Sequence, residues 1–267
     1  MPNMIVCVKQ IADPEAPPGS FKVDEASKKV NPAAGVSQVV SPFDEQAIEA
    51  ALRIKDAQGG KITAISLGSN FVMDVIKKPL SMGADELVLL QDPAFEGGDS
   101  HSTAYALAMA IKKVGEFDLI FCGRQAADWD AGQVSSGIAE ILGIPSVTPV
   151  KKVELDGNKV TVERIITDGY DVIEGTTPML VSVSNELGEP RYPKLKGIMA
   201  AAKKEPIVWS AADIGAEPAK CGAAGARAKL EKLFVPVKEG VCEIIEGESP
   251  EEAAVALALK LREVRLI

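Results

Sequence analysis

A chain of 267 residues with 46% hydrophobic content can bury a large core, either as one α/β domain or as a domain with an appendage. Its net charge of −9 argues against nonspecific nucleic-acid binding, because neutralising phosphates takes clustered Lys and Arg, and Lys203-Lys204 is too short a cluster. The four cysteines (Cys7, Cys122, Cys221, Cys242) form no CxxC pair, and His101 is the single histidine, so neither a zinc site, a redox dithiol nor a Ser/His triad is expected.

Strand and helix signals alternate from the start of the chain. Met4 to Val8 is a short continuous apolar run, as expected for a strand covered on both faces of a parallel sheet. Ser41-Pro42-Phe43-Asp44 then places a cap and a proline before a helical pattern over Glu45 to Asp56, closed by Gly59-Gly60. Apolar runs return at Ile62 to Leu67, Leu87 to Leu90 and Leu119 to Cys122. Between them lie helical patterns at Phe71 to Met82, Ser102 to Val114 and Gln133 to Leu142, each followed by glycine (Gly83, Gly115, Gly143). Pro79 should bend or restart the helix it interrupts. This alternation predicts an α/β fold with a doubly wound, mostly parallel, Rossmann-like sheet.

After Pro145 the pattern becomes β-rich. Val147 to Leu155 and Lys159 to Thr167 flank the turn signal Asp156-Gly157, and Asp168-Gly169 precedes Tyr170 to Glu174. Met179 to Val183 reads as a last strand returning to the core. The chain thus divides into an α/β domain over residues 1–205 and a C-terminal arm over 206–267, rich in Ala, Gly and Lys. The arm should end in a helix capped by Ser249, with Pro250 at its first position, Glu252 three residues after the cap, and an apolar face carrying Ala254, Leu257, Leu261 and Val264. The N-terminus shows no basic segment followed by a long apolar one, which with free thiols predicts a cytoplasmic protein outside the membrane.

Ligands of open α/β sheets bind beyond the carboxyl ends of the strands, where helix N-termini favour phosphate. Four segments hold such positions: Cys7 to Gln10, Ser66 to Ser69, Gly98 to Thr103 and the loop Gly123 to Val134. Gly123 would allow close backbone approach, Arg124 offers charge, and Gln133, Val134 and Ser135 offer helix-start amides. None of these is a P-loop or a GxGxxG fingerprint, and ordinary strand-to-helix turns have the same spacing. Asp128 and Asp130 read as turn formers rather than catalytic carboxylates. Cys7 and Cys122 end apolar runs, the usual place of a small buried hydrophobe. Within Glu186 to Tyr192, Leu187 is either tucked inward or held out as an anchor for a partner.

Ile5-Val-Cys-Val-Lys9, Ser41-Pro-Phe-Asp-Glu45, Met82-Gly-Ala-Asp85, Gly123-Arg-Gln-Ala126, Asp168-Gly-Tyr-Asp-Val-Ile-Glu174, Glu189-Pro-Arg-Tyr192 and Ile198-Met199, in that order, resemble the beta subunit of electron transfer flavoproteins over about residues 4 to 205. The resemblance implies a Rossmann-like fold of the adenine-nucleotide-binding type and an electron carrier with no catalytic or metal-binding residues of its own. It implies a heterodimer with an alpha subunit that holds a shared, redox-active FAD, and an AMP or a second FAD in this chain. On matching positions the nucleotide would contact Cys7, Ser41, Pro42, Phe43, Asp44, Leu67, Gly123, Arg124, Gln125, Ala126, Asp128, Gly132, Gln133 and Val134, with Phe43 approaching the alpha-held flavin.

It also implies a recognition loop over about 175–197, in which Leu187, Glu189, Pro190, Arg191 and Tyr192 meet an acyl-CoA dehydrogenase or related flavoenzyme of fatty acid β-oxidation. The arm would embrace the alpha subunit. Gly132-Gln-Val134 departs from the Asn-Gln-Thr of one-flavin members, and Asp168 to Glu174 looks like the electron-bifurcating type that takes electrons from NADH. Trp129 and the missing Gly-Pro after Gln133-Val134 depart from that type, so both subtypes stay open. A stand-alone adenine-nucleotide enzyme or regulator would need a triphosphate loop that is not evident here. A structural subunit with an empty nucleotide site is the remaining alternative.

Overall fold

A computed structural model describes residues 1–237, 240 and 242–267. The first strand, β1 (Asn3–Cys7), is buried from Met4 onward, as its apolar run requires. Two short antiparallel ribbons follow: β2 (Gln10–Ala12) pairs with β5 (Gln38–Val40), and β3 (Phe21–Asp24) with β4 (Lys29–Pro32). The sequence pattern announces neither, because strands of three or four residues are too short to show a period.

Helix α1 (Pro42–Gln58) starts with proline at its first turn and ends at Gly59, whose φ of 78° is the conformation that glycine adopts without strain. It feeds β6 (Lys61–Leu67). The interrupted helical pattern divides into α2 (Met73–Ile76) and α3 (Lys78–Met82), with Pro79 in the first turn of the second piece, where its missing N–H is harmless. Next come β7 (Glu86–Leu90), α4 (Ser100–Val114), β8 (Leu119–Gly123) and α5 (Val134–Leu142).

The β-rich stretch is a meander of β9 (Ser146–Asp156), β10 (Lys159–Ile166) and β11 (Gly169–Thr176). Asp156 pairs with Lys159 and Ile166 with Gly169, so each turn has two residues, the first of them Gly157-Asn158. Buried β12 (Met179–Val183) follows, then α6 (Leu195–Ala202), β13 (Ile207–Trp209), the one-turn α7 (Gly222–Gly225) and α8 (Pro250–Glu263).

Nine strands form one sheet in the order β11-β10-β9-β12-β8-β1-β6-β7-β13. Its central strands are parallel, and β10 and β11 extend one edge antiparallel. The α/β, doubly wound expectation therefore holds. One core lies between the sheet and α1 with α3, built from Val6, Ile48, Leu52, Ile62 and Phe121. The other lies against α4 and α5, built from Ile5, Ile65, Ile111, Ile120 and Ile138. The chain runs from β1 to one side through β6 and β7, then returns across β1 to β8. That reversal opens a crevice at the carboxyl ends of β1 and β8.

Two expectations change at the C-terminal end. Met179–Val183 is not the last strand, because β13 pairs in parallel with β7 and closes the far edge. Nor does the arm leave the core at residue 206: Ala211, Ile214, Ala216 and Cys221 are buried against the α4 side. Gly222 lies so close to the carbonyls of Ala94 and Glu96 that a Cβ would come within 2.4 and 2.5 Å of them. Gly222 thus marks close packing on the core, and the arm begins only after Gly225. Its root is fastened where the Asp99 carboxylate accepts hydrogen bonds from Arg227 N (2.7 Å) and Ala228 N (2.8 Å). Helix α8 is capped as expected, Ser249 Oγ accepting from Glu252 N at 3.3 Å, and buries none of its residues. Among the described residues no helix is long and apolar enough to cross a membrane.

Candidate functional site

The crevice is organised by Asp44, in the first turn of α1. Its buried carboxylate accepts a hydrogen bond from Lys9 N at 2.8 Å and another from Gly123 N at 3.2 Å, joining the carboxyl ends of β1 and β8 through one side chain. Burial raises its pKa to about 7, against the lowering effect of these two amides and of the Lys9 charge. Gly123 is required by this geometry. A Cβ there would lie 2.5 Å from Asp44 Oδ1 and 2.8 Å from the carbonyl carbon of Phe43.

The loop after Gly123 folds back over the start of α1. Ser41 Oγ, fully buried, accepts from Ala127 N at 3.4 Å. Lys9 Nζ holds both oxygens of Asp128 at 2.7 and 2.8 Å, which ties the loop to the end of β1. Gln125 donates to Asp130 at 2.8 Å, and the carbonyl of Ala126 accepts from the amides of Trp129 and Asp130. Gly132, at φ +62°, turns the chain into Gln133 and the first turn of α5. Pro42 is exposed and Phe43 half-buried, with the Arg124 guanidinium 5.8 Å from the Phe43 ring centroid.

At the start of α5 no side chain caps the helix, so its first amides have no partner from Gln133. Ser135, 3% exposed in that turn, has a buried hydroxyl with no hydrogen-bond partner. A buried polar atom left unpaired is costly, and here it stands beside amides that favour anions. That combination, together with the nearby Arg124 guanidinium, fits a phosphate-bearing ligand. Cys7 and Cys122 are buried on adjoining strands, and the Cys122 thiol is pushed up by its contact with Cys7 and by burial, which leaves it unreactive. Leu67 ends β6 and, with Gly68, Ser69 and Asn70, lines a neighbouring cavity of about 440 Å³ that Lys29, on β4, also borders. The structure therefore gathers Cys7, Ser41, Phe43, Asp44 and the 123–134 loop around one crevice, with Leu67 on its flank.

The segment after β12 differs from expectation. Leu187, offered as an exposed anchor, is 8% exposed and belongs to the core facing α1. A 3-10 turn over Asn185–Leu187 aims it inward. Arg191, expected on a partner, turns back onto α1 and holds Glu49 and Asp56. Glu189 is exposed, Pro190 half-buried, and Tyr192 89% exposed. The apolar residues that do reach the surface lie further along: Leu195 (74% exposed), Ile198 and Met199, at i, i+3 and i+4 on one face of α6. The opposite face seats Gly197 against Ser81 O, where a Cβ would sit at 2.3 Å, and buries Ala201.

Sequence reasoning missed Glu49 and underused Lys9. An acid flanked by Ile48, Ala50 and Ala51 in a helix was the available signal for the first, since a carboxylate in an apolar stretch needs a partner.

An electron transfer flavoprotein domain model matches residues 33–214. The electron transfer flavoprotein subunit beta of Thermoanaerobacterium thermosaccharolyticum is 41% identical over 250 residues, covering 93% of this chain and 94% of that one. The subunit beta of Clostridium acetobutylicum is 39% identical over 265 residues, covering 99% and 100%. The caffeyl-CoA reductase-Etf complex subunit CarD of Acetobacterium woodii is 37% identical over 266 residues, again covering 99% and 100%. With a family model over most of its length and such relatives end to end, the chain belongs to the electron transfer flavoprotein beta subunits.

Proposed function

We propose that this chain is the nucleotide-holding and docking subunit of a two-subunit electron carrier. Its crevice holds an adenine nucleotide, either AMP or a second FAD. The observation that carries this reading is the unpartnered, buried Ser135 hydroxyl in the first turn of α5, which directly follows the loop shaped by Asp44, Gly123 and Gly132. Ser135 and the Val134 amide take the phosphate, Arg124 supplies positive charge, Lys9 holds the loop in place through Asp128, and Ser41, Gln125 and Ala126 complete the wall. No residue here performs covalent or acid–base chemistry; the one-electron chemistry is supplied by FAD held mainly by an alpha subunit, towards which Phe43 is turned.

The extended arm after Gly225 and the unburied α8 embrace that alpha subunit. Val255, Leu257 and Leu259 are exposed on this helix, as is Val264 at its C-terminal end, and it buries none of its residues against the described part of the chain. The α6 face of Leu195, Ile198 and Met199, with Tyr192 beside it and Lys194, Lys196 and Lys203 around it, docks a flavoenzyme of the acyl-CoA dehydrogenase class. A basic rim on a chain of net charge −9 selects a partner whose apolar recess is ringed by carboxylates. The name of the Acetobacterium woodii relative, which places it with a CoA-thioester reductase, supports a partner of this kind.

The electron-bifurcating form, with two FAD and NADH as donor, is the second reading, supported by Gly132-Gln-Val134 and by Asp168 to Glu174. Acid release and chromatographic counting of nucleotides from the natively purified complex decides between them. One FAD with one AMP gives the simple carrier, and two FAD the bifurcating one. A complex with no adenine nucleotide beyond the alpha-held flavin would overturn the nucleotide role of the crevice.

A further inference from the structure

Glu49 sits in the middle of α1 and is 5% exposed, in a protein where buried carboxylates are otherwise few. Its environment is made of donors from two distant parts of the chain. Arg53, one turn on, donates Nε to Oε1 at 3.1 Å. Arg191 donates its backbone N–H to Oε2 at 3.1 Å, Nε to the same oxygen at 2.7 Å, and Nη2 to Oε1 at 3.2 Å. Arg191 Nη2 also reaches Asp56 Oδ2 at 2.8 Å, and Arg53 Nη1 donates to the carbonyl of Leu187 at 3.1 Å. Three charged side chains at i, i+4 and i+7 of one helix face thus grip the strip after β12 at two points, residues 187 and 191. Burial opposes the Glu49 charge, but hydrogen bonds from the Arg191 side chain and backbone and from Arg53 hold its pKa below the usual carboxylate range.

A buried ion pair is a poor way to gain stability, since apolar side chains of the same volume do as well or better. What it adds is geometry: two parallel N–H···O bonds fix the direction of the guanidinium, and with it the backbone that carries it. Here the fixed residue immediately precedes Tyr192. Three residues further on begins α6, whose first turn is held by Gly197 against Ser81 and whose far end is held by Lys204 Nζ on the carbonyl of Asp85 at 2.7 Å. The strip and the first turn of α6 are clamped from beneath by Arg191 and Gly197 and the far end of the helix by Lys204, and the apolar side chains of Tyr192, Leu195, Ile198 and Met199 are left pointing out.

We propose that Glu49 is a positioning residue for partner docking: it latches Arg191 onto α1 so that Tyr192 and the exposed face of α6 form one surface ordered before the partner arrives. This rests on the reading of that face as the docking surface. A surface ordered in advance loses less conformational freedom on binding, so removal of the latch weakens encounter without touching the electron-transfer step.

The test uses the complete two-subunit complex, with an acyl-CoA dehydrogenase as electron donor, and compares Glu49→Gln, Arg191→Lys, Arg191→Ala and Leu195→Ala. Two quantities are read: amide hydrogen exchange over residues 185–202, and the KM and kcat of the dehydrogenase for the complex. Glu49→Gln and Arg191→Ala are expected to speed exchange in the strip and to raise KM about tenfold at unchanged kcat, with Arg191→Lys between them and the wild type. Leu195→Ala is expected to raise KM while leaving exchange alone. If Leu195→Ala does not change KM, the docking reading falls, and the latch role with it. If Leu195→Ala raises KM but Glu49→Gln leaves either exchange or KM at the wild-type value, docking stands and the latch is overturned. Should Glu49→Gln not fold, the Arg191→Lys and Arg191→Ala pair carries the same decision.

Discussion

Two loops leave the carboxyl ends of neighbouring parallel strands, one from β8 and one from β12, and they are held in opposite ways. The loop after β8 is fixed mainly through backbone: the amides of Lys9, Gly123 and Ala127 bond to Asp44 and Ser41 at the start of α1. The strip after β12 is fixed through charged side chains of α1, with Glu49, Arg53 and Asp56 gripping Arg191 and the Leu187 carbonyl. Backbone fastening leaves a crevice next to the first turn of α5, where the helix-start amides and one buried hydroxyl have no side-chain partner. Side-chain fastening uses up the charges underneath and turns apolar groups outward. The same helix therefore supports a polar crevice at its first turn and, through Arg191, an exposed apolar surface further along.

The harshest way to break the first arrangement is Gly123→Val. Its Cβ would meet Asp44 Oδ1 at 2.5 Å and Phe43 at 2.8 Å, both anchored by α1, so neither gives way cheaply. The expected cost is about 3 kcal/mol, with loss of nucleotide from the purified complex. A urea midpoint equal to that of the wild type would contradict the close approach.

Asp44 adds a pH dependence opposite in sign to that of the strip, whose Glu49 is held below the usual carboxylate range and so loses its contribution only as pH falls. Its pKa rises on folding, by burial, to about 7. The folded state therefore favours the protonated form. The stability it contributes is fully present below the unfolded value of about 4 and is lost as pH rises through about 7. Asp44→Asn, which stays neutral, is expected to flatten the stability curve across that window. Denaturation midpoints that keep the wild-type slope between pH 4 and 7 would assign the effect elsewhere.

Leu187→Ala probes the underside of the strip. Removing a leucine from the core facing α1 is expected to cost about 2–3 kcal/mol, read by chemical denaturation. A smaller effect follows from Ser135→Ala. The hydroxyl has no internal partner, so stability should stay within about 0.5 kcal/mol, while affinity for AMP falls about tenfold in calorimetric titration. Unchanged AMP affinity would remove Ser135 from the site.

What the sequence made legible follows the same division. β1, β6, β7 and β8 could be read from short apolar runs, the helix ends from Gly59, Gly83, Gly115 and Gly143, and the meander from Gly157 and Gly169, because each signal is local. The crevice was readable to the extent that Gly123 and the start of α5 lie within one loop. Its central link was not, since Asp44 reaches Gly123 across 79 positions and Lys9 reaches Asp128 across 119. The strip was misread for the same reason: Arg191 finds Glu49 across 142 positions, and no local pattern says that a Pro-Arg-Tyr segment turns its arginine inward. β13 was missed because a three-residue edge strand after an Ala- and Lys-rich stretch has no period of its own.

Leucines 187 and 195 separate the two faces of the strip most cleanly. They lie eight positions apart on the same segment, and both have the composition of a docking anchor. Leu187 is enclosed by the core, so its truncation opens a cavity that the surrounding sheet and helix only partly fill. Leu195 stands 74% exposed in the first turn of α6, where shortening it removes little buried area and is expected to change stability by no more than about 0.5 kcal/mol. Its effect should appear only when a partner is present, as weaker docking at unchanged stability and cofactor content. Leu187→Ala should show the reverse in denaturation: loss of stability with partner affinity near the wild type wherever the protein remains folded. Equal stability losses for the two would mean that α6 lies against this chain in a way that buries Leu195, and would move the docking surface off its exposed face.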